Sequence, residues 1–157
     1  LRGPRLLIVV DLNDQRLELA RTCGADLGLN PRRVDVVDEV LKLTGGYGCD
    51  VYIEATGHPA AVQQGLDMIR RLGTFVEFSV MREPVTVDWT IIGDLKELNI
   101  HGSHLSPYCY PIAIDMLARG LLPMEQIITH TLPLADFERG IELVHAGTAS
   151  IKVALQP

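Results

Sequence analysis

Long apolar runs are missing from this chain. None of its 157 residues lies in a stretch approaching the roughly 18 apolar residues that span a bilayer. The run Leu6–Val10 is far too short, and the first residues lack the charged-then-apolar layout of a secretory signal. The expectation is a chain outside the membrane, in the cytoplasm. Positive charge is in short supply: 14 Lys and Arg stand against 20 Asp and Glu, a formal net charge of −6. That balance argues against general binding to nucleic acid or to anionic membranes, and leaves room only for a local basic site. Cysteine is scarce and odd in number. Cys23, Cys49 and Cys109 are widely spaced with no CxxC pair, which supports neither a disulfide framework nor a zinc knuckle. Buried thiols in a reducing compartment are expected.

Catalytic signatures are missing as well. There is no HExxH, no P-loop and no GxSxG elbow. The histidines His58, His101, His104, His130 and His145 offer no metal geometry. His101 and His104, three apart on a strand, point to opposite faces. No metal site is therefore expected within the chain. No internal repeat, low-complexity tract or long linker interrupts it, and its length is one domain's worth.

What is present is alternation. Leu6–Val10 reads as a buried strand. Asn13 or Asp14 can cap a helix through about Cys23, with Leu17 and Ala20 inward and Gly24 as its stop. Residues 26–29 form a short strand closed by Asn30-Pro31. Val34, Val37, Val40 and Leu41 follow at helical spacing, ended by Gly45-Gly46. Residues 50–55 are the next strand. Pro59 suits the first turn of a helix that carries Val62, Leu66 and Ile69 inward until Gly73 breaks it. Residues 74–79 are strand, 85–87 a short strand or extended stretch, 89–94 one or two helical turns, and 98–102 strand. Ser106-Pro107 starts a helix with Ile112, Ala113, Met116 and Leu117 apolar. Residues 127–131 are extended, Phe137, Ile141 and Val144 form a helical stripe stopped by Gly147, and 151–155 are a last strand. Strands alternating with helices imply an α/β protein with a parallel sheet covered on both faces.

The tips of those strands are the positions that could carry chemistry. Asp11 ends the first strand. A carboxylate there can accept hydrogen bonds from the vicinal hydroxyls of an adenosine ribose and repel a 2′-phosphate, or it can be a plain helix cap or solvated loop acid. Arg16, five residues on, can lie against the adenosine or in solvent. Ala55, Thr56 and Gly57 end the strand Val51–Glu54; small residues there admit a flat ligand against backbone, and a simple turn is the competing explanation. Ser79 and Val80, then Gly102 and Ser103, occupy the corresponding ends of later strands. In a doubly wound sheet all these tips line one crevice.

The stretches Val-Val-Asp-Leu-Asn-Asp-Gln-Arg-Leu-Glu-Leu-Ala at 9–20, Cys-Gly-Ala-Asp at 23–26 and Gly-Cys-Asp-Val-Tyr-Ile-Glu-Ala-Thr-Gly at 48–57 extend this pattern. With the glycine-opened strand at 73–79, Leu98–Ser103 and the closing helix at 136–143, they resemble the zinc-dependent medium-chain alcohol and polyol dehydrogenases. The likeness is strongest to the sorbitol, threonine and erythritol or threitol branch, and to its carboxyl-terminal, NAD-binding half. The resemblance implies a Rossmann-like doubly wound fold. Residues 1–123 would be a partial dinucleotide-binding domain, and 124–157 a closing strand–helix–strand leading toward a catalytic domain. It implies NAD as cofactor, with Asp11 on the ribose and Arg16 near the adenosine. Ala55, Thr56 and Gly57 would lie against the cofactor, and Ser79, Val80, Gly102 and Ser103 near its nicotinamide half. It also implies a small alcohol or polyol substrate, zinc held by ligands outside these residues, and a homodimer or higher oligomer paired through 98–103.

The GxGxxG turn expected roughly 20 residues before the ribose acid is not in the chain. Nor are the strand and helix that flank that turn. That strand would be the central one, so two buried strands would keep open edges. The loss is comparable with a domain's whole stability, about 5–15 kcal/mol. The expectation is a chain that closes the gap, swaps with a partner or folds marginally, inactive alone. A non-enzymatic dimerisation or binding module is the alternative. A methyltransferase is a third reading, which Ala55-Thr56-Gly57 speaks against because the corresponding strand there ends in an acidic or Asn-Pro-Pro motif.

Overall fold

A computed structural model describes residues 3–105 and 108–157, so the expected helix start at Ser106-Pro107 lies outside the described residues. The chain divides into two compact units, Leu1–Arg33 with Tyr110–Pro157, and Val34–Cys109.

In the first unit, β1 (Ile8–Val10) runs parallel to β2 (Leu27–Leu29), joined by helix α1 (Asp14–Thr22). Asn13 is the cap, its side chain accepting from the Gln15 amide at 2.9 Å. Leu17 is buried and presses on Gly28, where a Cβ would come within 3.1 Å of it, tighter than ordinary contact. The rest of the unit holds α4 (Tyr110–Ala118), the short α5 (Met124–Ile127), β6 (Ile128–Pro133), α6 (Phe137–Ala146) and β7 (Lys152–Gln156). β6 and β7 are parallel partners with α6 between them. Gly147, at φ 62°, closes α6 in the left-handed conformation that glycine tolerates. The four-residue α5 takes in Ile127, which the sequence reads as extended; the strand begins one residue later.

In the second unit, β3 (Cys49–Glu54), β4 (Ile69–Glu77) and β5 (Asn99–Gly102) form one parallel sheet in that order. Helix α2 (Val36–Leu43) starts behind the Asp35 cap, so Val34 precedes it, and Val36 and Val40 are its buried positions. Helix α3 (Pro59–Met68) opens with proline in its first turn. Its core is Leu66, Ile69 and Phe75, with Tyr52, Val62 and Leu98 against it. Ile69 corrects the sequence reading. It is buried as expected, but from the strand: at ψ 139° it has already left the helix.

Two interactions explain the early exit. The Lys96 ammonium, at the end of a π-helical turn (Ile91–Leu95), donates to the carbonyls of Leu66, Asp67 and Ile69, at 2.5, 2.9 and 2.8 Å. It thereby satisfies carbonyls that the ending helix orphans. Burial pulls its pKa down, while Asp67 pulls the other way. The Leu72 amide then donates to the Lys96 carbonyl at 2.7 Å, with Leu72 held at φ 56°. The partner register jumps accordingly, from Cys49↔Ile69 to Val51↔Thr74.

The β3 strand has β4 as its one ladder partner among the described residues, and Val51 and Ile53 on it are 54% and 59% exposed. Two thiols also depart from expectation. Cys23 and Cys109 are exposed rather than buried, Cys23 because it is the C-cap of α1; Cys49 is half-buried, and burial pushes its thiol pKa up. Residues 85–87 have no regular secondary structure and join no ladder. Among the described residues no helix is long and apolar enough to cross a membrane.

Candidate functional site

Parallel strands aim their carboxyl ends at one edge of the sheet. At that edge of the second unit the chain leaves β3 through Ala55, Thr56 and Gly57, β4 through Phe78, Ser79 and Val80, and β5 at Gly102 and Ser103. The Phe78 amide donates to the Glu54 carbonyl at 3.0 Å, and the Ser103 amide to the Glu77 carbonyl at 3.0 Å. The ladder therefore carries on into the tips.

The organiser of this edge is Glu54, a residue that sequence reasoning passed over. It is 0% exposed. Its carboxylate accepts from the Thr56 amide at 2.8 Å, the Thr56 hydroxyl at 2.5 Å, the Gly57 amide at 3.2 Å and the Ser79 hydroxyl. Burial alone would push the Glu54 carboxyl up. The Ser79 and Thr56 hydroxyls and the Thr56 and Gly57 amides outweigh it and hold the group below the usual glutamate value. Thr56 passes the order onward: its hydroxyl accepts from the His58 amide at 3.0 Å, and His58 Nδ1 caps α3 through the Ala60 amide at 3.2 Å.

Gly57 is held at φ 69°, and a side chain there would collide with the Val80 carbonyl. The Arg82 amide donates to the Gly57 carbonyl at 3.2 Å. The two loops therefore touch backbone to backbone. The structure thus brings Thr56, Gly57 and Ser79 together around one carboxylate, with Val80 against Gly57, and sets Gly102 and Ser103 at the end of the next strand.

The first unit carries the other candidates. The Asp11 amide continues the β1–β2 ladder to the Leu29 carbonyl at 3.2 Å, which fixes its side chain at the strand tip. One carboxylate oxygen accepts from the Asn13 amide at 2.8 Å; the other lies 3.8 Å from Arg16. A carboxylate offers about four lone-pair directions, so most of its accepting capacity stays open. Nearby, buried Asn30 donates to the Leu12 carbonyl at 3.2 Å and to Asp14 at 2.9 Å, and Asp14 also pairs with Arg33. These bonds brace the loop that carries Asp11.

Among the described residues, no group of three or more His, Cys, Asp or Glu side chains could hold a metal ion. The signal that could have found Glu54 is its spacing. An acid followed two and three residues later by Thr-Gly can fold its carboxylate back onto those amides, as capping side chains do.

Residues 3–119 match the zinc-binding dehydrogenase family. The chain is 50% identical over 156 residues to the erythritol/L-threitol dehydrogenase of Mycolicibacterium smegmatis, covering 99% of this chain and 43% of that protein. It is 37% identical to the L-threonine 3-dehydrogenase of Bacillus velezensis, covering 99% of this chain and 45% of that one. It spans less than half the length of these curated relatives. The solved structure of a short chain alcohol dehydrogenase from E. coli CFT073, complexed with cofactor NADH, superposes with a TM-score of 0.85 at 29% identity, over 98% of this chain and 45% of that one. The expected Rossmann-like α/β fold is thereby shown, and so is the likeness to alcohol and polyol dehydrogenases.

Proposed function

The chain belongs to the zinc-binding dehydrogenase family, and on that premise we propose that it forms the NAD-binding part of an oxidoreductase acting on a small secondary alcohol or polyol. The observation that carries the proposal is Asp11: a carboxylate 29% exposed and fixed at the carboxyl end of a parallel strand, with accepting capacity to spare. It takes the 2′- and 3′-hydroxyls of the adenosine ribose, and its charge disfavours a 2′-phosphate. Arg16 lies beside the adenosine. Ala55, Thr56 and Gly57 present small side chains and backbone to the cofactor, and Ser79, Val80, Gly102 and Ser103 flank its nicotinamide half. NAD, when bound, supplies the hydride acceptor; these residues bind and orient it.

The described residues do not fit a zinc site, so metal and substrate contacts fall to the remainder of a longer protein, and the chain alone is inactive. Residues 1–123 then serve as a partial dinucleotide-binding domain and 124–157 as the closing strand–helix–strand that leads toward the catalytic domain. A homodimer is supported by β5, an edge strand exposed along all its residues. That same edge is what favours the second reading, a dimerisation module without enzymatic work.

Calorimetric titration of this chain separates the two. NAD is expected to bind and NADP to bind more weakly. Asp11→Ala is expected to weaken NAD about ten-fold, a loss of about 1.4 kcal/mol, and to narrow the gap to NADP. Equal affinities before and after the substitution, for both cofactors, would remove Asp11 from the site. Absence of any NAD binding would favour the dimerisation module.

A further inference from the structure

We propose that Glu54 is a positioning residue for the cofactor, one that never touches it but holds the loops after β3 and β4 in the shape that receives it; this deepens, and rests on, the NAD reading above. A buried carboxylate is costly unless it is fully satisfied. Here it is satisfied by the loops that follow two strands: Thr56 and Gly57 after β3, and Ser79 after β4. Every donor comes from a residue at the candidate edge or its flank. A core chosen for stability alone is served as well by an apolar side chain of similar volume. A carboxylate does something an apolar side chain cannot, because it turns two backbone amides and two hydroxyls inward at once.

That inward turn has a consequence for what the loops offer a ligand. With the Thr56 hydroxyl donating to Glu54 and accepting from the His58 amide, its one proton is committed to the fold, and it has only a lone pair left to offer a ligand. Gly57 is drawn against the Val80 carbonyl, where it has no room for a side chain. The edge that results is preformed, with the buried Gly57 backbone packed against the Val80 carbonyl and Thr56 exposed beside it. Preorganisation of this kind raises affinity by removing the ordering cost from the binding step.

The test compares NAD with AMP, which carries only the adenosine half that Asp11 is read to hold. In Glu54→Gln the side chain keeps its shape but loses its charge and half its accepting oxygens. NAD affinity, measured by calorimetry on this chain, is expected to fall about ten-fold, while AMP affinity stays within about two-fold. Hydrogen exchange at the Thr56 and Gly57 amides is expected to speed up in the same variant. If Glu54→Gln does not fold, Glu54→Asp is read instead. It keeps the charge but draws the carboxylate back one methylene, and the same divergence of NAD from AMP is expected. Wild-type chain that binds NAD, with variants that weaken NAD and AMP equally or neither, overturns the positioning role alone. Wild-type chain that binds no NAD overturns the cofactor reading and this inference with it.

Discussion

Glu54→Ala is expected to lower the unfolding free energy of this chain by about 3–5 kcal/mol, measured by urea denaturation. The substitution strips the Thr56 and Gly57 amides of their acceptor at 2.8 and 3.2 Å, and frees the Thr56 and Ser79 hydroxyls. The Gly57 amide is buried and the Thr56 amide partly so; orphaning a buried amide costs about 1–3 kcal/mol, and the vacated volume adds a cavity cost. Glu54→Gln is expected to cost less, because one oxygen still accepts. The same carboxylate sets a pH dependence. Its folded pKa lies below the ordinary value of 4.5 because the donors outweigh burial. The unfolded chain therefore binds the proton first as pH falls. The stabilisation is complete above the unfolded pKa and is lost as pH drops from there through the folded value. Wild-type stability is expected to fall more steeply than that of Glu54→Gln below about pH 4.3. Parallel acid profiles for the two would show that the carboxylate carries no such linkage.

The second large effect lies where α3 crosses the sheet. Gly65→Ala is expected to destabilise the chain by about 2 kcal/mol, although alanine is the better helix former by about 1 kcal/mol. A Cβ at Gly65 would run into the Tyr52 ring and come within 2.8 Å of Phe75. Neither ring can retreat. Tyr52 is tethered through its hydroxyl to the Ala61 carbonyl at 2.8 Å, and burial pushes its pKa up, so it remains a donor. Phe75 is 4% exposed, and the two ring centroids stand 5.1 Å apart. Overpacking therefore outweighs helix propensity. Gly93→Ala is the matched control. Nothing lies within 4 Å of the added atom, so propensity alone acts, and a neutral or slightly stabilising change is expected. A Gly65→Ala chain as stable as wild type in urea would mean that helix and sheet sit farther apart than the structure has them.

Much of this architecture was legible because local chemistry and burial agree. Asn13 caps, Pro59 opens and Gly147 stops their helices for reasons that act within a few residues. The strand tips follow from alternation, so Ala55, Thr56, Gly57, Ser79, Val80, Gly102 and Ser103 could be placed on the strand ends from the sequence. What could not be read depends on distant partners. Ile69 has helical spacing from Val62 and Leu66, and only Lys96, far along the chain, decides that the helix ends before it. Glu54 reads as one more polar residue in an alternating strand until Ser79 is brought against it. Cys23 looks like a small core residue until its place at the end of α1 exposes it. Cooperation between segments remote in sequence is invisible to periodicity, and the candidate edge is made of it.

A crystal structure of this chain soaked with or grown in NAD reaches the heart of the matter. Both ribose hydroxyls of the adenosine are expected within hydrogen-bonding distance of the Asp11 carboxylate, with the Asn13 amide still on its other lone pair. An adenosine bound away from the tip of β1, with Asp11 facing solvent, would contradict the assignment of this chain as a cofactor-binding half.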